Sequence, residues 1–180
     1  MSDQILADHR RVEVLYSAER LQVRVRELGQ EISADYGQRG VTMVGIMKGC
    51  FVFFADLVRA CDIPLRTEFI GISSYGDETR TTGVVKITSD LSEPIENERV
   101  LIVEDIIDTG LTMRYLLDNF ATRQPKDLKV CTLLHKPART QVEVPMDYVG
   151  FTIPDEFVVG YGLDYAQYYR NLPFVGIYRG

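Results

Sequence analysis

Residues 100–112 read VLIVEDIIDTGLT, and the first four of them restrict the fold more than any other stretch of the chain. A run of Val, Leu, Ile and Val has no wet face, so it belongs to a strand covered on both sides, as in a parallel sheet between helices. Val41–Met47 (VTMVGIM) and residues 127–134 (DLKVCTLL) read as further strands. Apolar Phe51–Ala60 follows the first, and a helical stretch, 111–122, follows the central run. Strand, turn and helix in repetition predict an α/β fold with a central, mostly parallel twisted sheet flanked by helices. Ahead of it, Ser17 is placed to cap a helix carrying Leu21, Val25, Leu28 and Ile32 on one face, ended by Gly37 and Gly40. Residues 64–73 and 84–90 alternate as strands around a polar connection, and the aromatic tail 148–180 offers short strands but no long helix.

The central run ends in Glu104 and Asp105, at the strand end where open α/β sheets bind ligands. Beyond them, Asp108-Thr109-Gly110-Leu111-Thr112 leads into a helix. Unpaired N–H groups and the partial positive charge of a helix start suit such a turn to a phosphate. Acids beside a phosphate then need work of their own: binding ribose hydroxyls, holding a metal ion or taking a proton. Helix capping by Asp108 or Thr109 is the plainer explanation, but it does not ask for Glu104 and Asp105.

Other strands bring further groups to the same edge. Lys48 and Gly49 follow Val41–Met47, placed for a second phosphate group. Lys136 follows the strand at 127–134, where its ammonium could donate to a carbonyl oxygen on a base; His135 is assigned no role. Phe157 and Val158 follow a Pro154-Asp155-Glu156 turn, where a ring could stack on a planar base and backbone groups bond its edge. Asp164 and Arg170 are charges inside an aromatic segment whose Tyr161, Tyr165, Tyr168 and Tyr169 are expected to pack. Ser74 and Tyr75 open the polar connection, which reads as a mobile lid able to exclude water from a reactive sugar cation.

With 180 residues the chain is expected to form one domain, 1–180. A net charge of −6 without a lysine or arginine cluster argues against a nucleic-acid surface, so an anionic substrate must be held by metal ions, backbone amides and a few placed cations. The start of the chain lacks the apolar core of a signal peptide and no run is long enough to span a bilayer; we expect a cytoplasmic protein with no membrane partner. Cys50, Cys61 and Cys131 are odd in number and show no CxxC, which suggests reduced core residues, although Cys50 follows a loop and could be reactive.

Five motifs in order, MKG at 47–49, SSYG at 73–76, EDIIDTGLT at 104–112, LLHKP ending at Pro137 and IPDEFVVGYGLDYAQYYRNLP at 153–173, resemble the hypoxanthine-guanine branch of the type I phosphoribosyltransferase family, over nearly the whole chain from Val12 onward. The resemblance implies that fold, a core at about 12–147, and a small C-terminal hood at about 148–180 joined by the N-terminal segment. It implies transfer of a phosphoribosyl group from phosphoribosyl pyrophosphate to a 6-oxopurine base, with Mg2+ as cofactor and a homodimer or homotetramer as the assembly. Glu104 and Asp105 would hold the ribose hydroxyls directly or through magnesium, and Asp108 would be the general base. Asp108, Thr109, Gly110, Leu111 and Thr112 would bind the 5′-phosphate; Lys48 and Gly49 would form the pyrophosphate turn, where the family often has a non-proline cis peptide. Lys136 would bond the purine 6-oxo group, Phe157 would stack on the base and Val158 would bond it through its backbone. Asp164, beside the purine, would be a second magnesium contact, Arg170 a pyrophosphate contact, and Ser74 with Tyr75 the lid. Met47 stands where leucine is more usual.

Three rivals are weighed against this. A transferase of the same fold could prefer xanthine or a pyrimidine, though Lys136 with Phe157 and Val158 favours 6-oxopurines. A nucleotide-sensing regulator that binds RNA or DNA is disfavoured by the acidic charge. A dinucleotide-binding module would need a G-x-G-x-x-G after a strand, and none is present.

Overall fold

The structure of the chain, a computed structural model, describes residues 11–74 and 85–180. Its strands are β1 (Val12–Tyr16), β2 (Val41–Met47), β3 (Leu65–Ser74), β4 (Val85–Ser89), β5 (Arg99–Ile107), β6 (Asp127–His135), β7 (Tyr148–Thr152), β8 (Val158–Val159) and β9 (Val175–Tyr178); the α-helices are α1 (Ala18–Tyr36), α2 (Phe51–Ala60) and α3 (Leu111–Ala121). Six strands form one sheet in the order β4-β3-β2-β5-β6-β7, parallel except for β4 at its edge. The remaining three form a small antiparallel sheet, β1-β9-β8.

Side-chain alternation divides the core between the two faces of the large sheet. Met43, Leu101, Val103 and Leu133 face Leu21, Leu28 and Ile32 of α1 and Phe53 and Leu57 of α2. Val44, Ile102 and Val130 face Met113, Leu116 and Phe120 of α3. Each such side chain, fully buried, contributes about 1.5–3 kcal/mol, which is why strands with no polar face were legible as central. Ser17 caps α1 as expected, its hydroxyl accepting from the Arg20 N–H at 3.4 Å, and Gly37 ends the helix at φ 52°.

The strand order reverses between β2 and β5. After β2 the chain steps outward to β3; after β5 it steps the other way to β6 and β7. Pairing of β2 with β5 runs from Thr42–Val100 to Gly45–Val103 and stops there, whereas β5 continues beside β6 to Ile107–His135. Past Val103, β5 therefore presents an edge unpaired with β2, and the sheet opens a notch at its switch point, the place where such folds bind ligands.

Two expectations change. The acids lie inside β5, not beyond it, because Ile106 and Ile107 remain paired with β6. The hood boundary expected near Tyr148 falls later: β7 extends the large sheet, and the small sheet draws only on β8, β9 and the N-terminal β1. The strand expected at 84–90 is β4, antiparallel to β3. Tyr75 and the rest of the expected lid lie outside the described residues; Ser74 ends β3. Among the described residues no helix is long and apolar enough to cross a membrane.

Candidate active site

A cleft of about 560 Å³ occupies the notch, a size suited to a small-molecule ligand. Glu104, Asp105, Asp108, Thr109, Gly110 and Thr112 line one side, and Lys136, Phe157, Val158 and Asp164 line the other. Ten of the expected site residues are thus brought together from β5, the start of α3, the end of β6 and the hood.

Glu104 is almost completely buried. Burial, and then the charge of Asp105, pushes its carboxyl well above the usual range. Burial also raises Asp105, opposed by its hydrogen bond with Glu104, by the Ile106 N–H it accepts at 2.8 Å, and by the Arg170 charge. Two adjacent carboxyls in this setting hold a proton between them or require a cation.

Gly49 lies against this pair. A Cβ built on Gly49 would fall 1.7 Å from the Asp105 Oδ2, so only glycine lets the turn after β2 lie on the carboxylate. Lys48 itself is exposed, and the non-proline cis peptide is Met47–Lys48, one bond before the Lys48–Gly49 pair. Cys50, next in the chain, is buried; burial and then the nearby Glu104 and Asp105 charges push its thiol up, so the reactive alternative does not apply.

At the start of α3, Gly110 adopts φ 81° and supplies no side-chain cap. Thr109 Oγ1 accepts a 3.4 Å bond from the Leu111 N–H, as long as the Ser17 cap of α1, whereas Asp108 makes no capping bond, so the plain capping explanation holds for Thr109 and not for Asp108. The loop is held from behind, where the Thr109 carbonyl accepts from the Gln141 and Val142 N–H groups at 3.0 Å each. A Cβ on Gly110 would meet the Val142 carbonyl oxygen at 2.0 Å, so a glycine is required at this left-handed position. Leu111 is half-buried and is not part of the cleft wall.

Asp108 lines the cleft, and its Oδ1 is buried and accepts no hydrogen bond, which leaves an unsatisfied acceptor there. Arg139 Nε stands 3.6 Å from it, on the 3₁₀ turn Pro137–Arg139. No spacing in the sequence points to Arg139; its approach to Asp108 comes with the packing of the following segment on Thr109, where Gln141 and Val142 donate to the Thr109 carbonyl. Lys136 is 5% exposed, its backbone N–H bonded to the Ile107 carbonyl at 3.0 Å and its ammonium 3.8 Å from Asp155 Oδ1. Asp155 was not singled out from sequence, because a turn acid next to proline has an ordinary local explanation.

In the hood, Val158 pairs with Ile177, and the Phe157 carbonyl accepts from the Tyr178 N–H at 2.9 Å, leaving the Phe157 ring 51% exposed over the cleft. Asp164 Oδ1 pairs with Arg170 at 2.7 Å, and Arg170 also donates to the Gly162 carbonyl at 2.8 Å. Among the described residues no three His, Cys, Asp or Glu side chains converge as a metal cage, so Asp164 does not form one cluster with Glu104 and Asp105. Tyr161 and Tyr169 pack as expected, whereas Tyr165 and Tyr168 are 37% and 41% exposed.

An acid pair where β5 parts from β2, a glycine-led helix start, and a buried lysine and an exposed aromatic ring lining the same cleft, all at one switch point, define a nucleotide-handling α/β enzyme. The family model described as phosphoribosyl transferase domain matches residues 12–166. Hypoxanthine phosphoribosyltransferase of Salmonella typhimurium is 49% identical over 167 residues, 92% of this chain and 94% of that protein. The bifunctional protein TilS/HprT of Listeria monocytogenes is also 49% identical, over 91% of this chain but only 25% of its own length; the chain thus spans about a quarter of that relative. A crystal structure of a hypoxanthine-guanine phosphoribosyltransferase from Bacillus anthracis, with a HEPES molecule in the active site, matches with a TM-score of 0.88 at 48% identity, covering 92% of this chain and 97% of that one. The chain belongs to the phosphoribosyltransferase family and, within it, to the hypoxanthine phosphoribosyltransferases.

Proposed function

We propose that the chain converts hypoxanthine or guanine and phosphoribosyl pyrophosphate to IMP or GMP and pyrophosphate. One observation carries this reading: buried Lys136, the Phe157 ring and the Val158 backbone share one cleft with Glu104, Asp105 and the loop 108–112. The loop and the start of α3 hold the 5′-phosphate, and the Gly49 turn with Arg170 takes the pyrophosphate. Glu104 and Asp105 face the ribose hydroxyls. The base slides under Phe157, bonds the Val158 backbone and accepts at its 6-oxo group from Lys136.

A purine ring nitrogen forms the new bond to C1′ as the bond from C1′ to pyrophosphate breaks, and Asp108 takes the ring proton through its open Oδ1. The acid pair fits a divalent cation, since a positive charge relieves both the burial of Glu104 and its repulsion from Asp105. Glu104 and Asp105 would hold magnesium together with substrate oxygens, and Asp164, paired with Arg170 at 2.7 Å, would give a second contact once Arg170 turned to the pyrophosphate. When bound, magnesium neutralises the departing pyrophosphate.

In this reading residues 1–180 act as one transferase domain, with the small sheet as its hood. Exposed Phe51 and Phe69, at 41% and 44%, support a homodimer or homotetramer, and three free cysteines support a reducing cytoplasmic setting. The test is nucleotide formation from phosphoribosyl pyrophosphate with hypoxanthine, guanine, xanthine, adenine and uracil separately, each with magnesium and with chelator. Magnesium-dependent IMP or GMP, with adenine and uracil inert, is expected. Product with none of the bases refutes the proposal.

A further inference from the structure

The Phe157 ring is not held by the core. Its backbone is fixed by the Tyr178 N–H, but the ring stands half in water and touches two other rings edge-on: Tyr165 at 5.8 Å and 86°, and Tyr178 at 6.3 Å and 71°. Tyr165 and Tyr178 in turn stack at 4.8 Å and 27°. Edge-to-face contacts fix the plane of a ring as well as its place, and the half-exposed Phe157 lines the cleft.

Tyr165 is 37% exposed, so core packing does not explain an aromatic ring there. Its backbone is nevertheless tightly defined. Tyr165 and Tyr168 exchange N–H to carbonyl bonds of 3.2 and 3.0 Å around Ala166 and Gln167, both left-handed at φ 50° and 72°. That is the two-residue turn that favours Asn-Gly; Ala-Gln occupies it at a cost in backbone strain, and observed strain of this kind marks places where position matters. Asp164 braces the same turn, its Oδ2 accepting from the Gln167 N–H at 2.8 Å.

We propose that Tyr165 is a positioning residue for the purine: its ring edge sets the plane of Phe157, and so the affinity for the base, without touching the phosphoribosyl group. The inference rests on the base-stacking role given to Phe157. Initial rates of the parent, Tyr165→Phe and Tyr165→Leu proteins are measured with each substrate varied in turn. Tyr165→Leu is expected to raise the KM for hypoxanthine about 3- to 10-fold, the factor one aromatic edge contact is worth. Its KM for phosphoribosyl pyrophosphate and its kcat should stay within about twofold, and Tyr165→Phe, which keeps the ring, should behave as the parent. An unchanged KM for hypoxanthine, or equal rises for both substrates, overturns the proposal.

A second measurement is independent of turnover. The chain has no tryptophan, so Phe157→Trp places a single fluorophore in that ring position. Adding Tyr165→Leu to it should increase acrylamide quenching, and unchanged quenching overturns the proposal. A parent that forms no nucleotide while this quenching responds would remove the reaction reading and leave the ring contact standing.

Discussion

Lys136→Met tests the base pocket with the fewest side effects. Lys136 is 5% exposed, and its ion pair with Asp155, at 3.8 Å, is too long for a hydrogen bond. Asp155 is itself 57% exposed, so it does little to repay the removal of an ammonium from water. In the proposed reading a bound 6-oxo group would supply the missing acceptor. A hydrogen bond from a charged donor in such a place is worth about 1.5–3 kcal/mol, which at 1.4 kcal/mol per decade is about 10- to 150-fold in kcat/KM for hypoxanthine. Adenine should not become a good substrate, because methionine offers its amino group no strong acceptor; discrimination narrows through loss of the correct base. Methionine has a similar length and no charge to bury, so thermal stability should hold or rise. The assay compares kcat/KM for hypoxanthine and adenine and the KM for phosphoribosyl pyrophosphate. Unchanged kcat/KM for hypoxanthine refutes the lysine contact, and a matching loss of affinity for phosphoribosyl pyrophosphate would mean that the whole site had collapsed.

Asp108→Asn keeps the shape but not the proton acceptor, and single-turnover measurement should show the chemical step slowed by about 10²–10⁴-fold with nucleotide binding nearly intact; wild-type turnover rejects the base assignment. Gly49→Ala puts a methyl group on the Asp105 carboxylate, which the Ile106 N–H holds in place. The strain, about 1–3 kcal/mol, should appear as a raised KM for phosphoribosyl pyrophosphate, and an unchanged value means the turn can shift freely. Far from the site, the Tyr148 hydroxyl donates to Asp35 at 2.6 Å and, with the Lys129 charge as a smaller influence, holds that carboxyl below its usual range. A depressed carboxyl stabilises above its unfolded value and loses that contribution as pH falls through its folded one. Tyr148→Phe should therefore cost stability at pH 7, less than about 1 kcal/mol because Asp35 is half exposed. The gap should shrink in denaturant titrations as pH falls below the ordinary carboxylate range; a gap that does not change with pH counts against the bond.

What could be read without coordinates follows from which forces are local. The buried strands, the cap at Ser17 and the Gly110 turn declare themselves in a few neighbouring residues. The end of β5 does not: Ile106 and Ile107 look like loop residues after two acids, and only pairing with Leu134 and His135 keeps them in the strand. Likewise Tyr148–Thr152 resembles the other short strands of the tail, and the choice of β6 as its partner is a long-range outcome. Arg139 beside Asp108, and Tyr165 against Phe157, depend on how separate loops pack, which no spacing rule records.

The fold and the chemistry make opposite demands on β5. Its Val100, Leu101, Ile102 and Val103 stabilise the sheet by having no exposed face, yet the next residue in the same strand is a carboxyl with almost no access to water. Simple repacking would favour an apolar residue at Glu104. The notch makes the acid tolerable, because departure of β2 after Gly45 removes one neighbour and opens the cleft to charge from outside. Arg170 reaches Asp105 only electrostatically and is already paired with Asp164, so the protein leaves the acid pair short of positive charge. The site is thus stable enough to fold but electrostatically incomplete, and in the proposed reading a cation and a polyphosphate arriving together would complete it, which would let a chain of net charge −6 bind an anionic substrate.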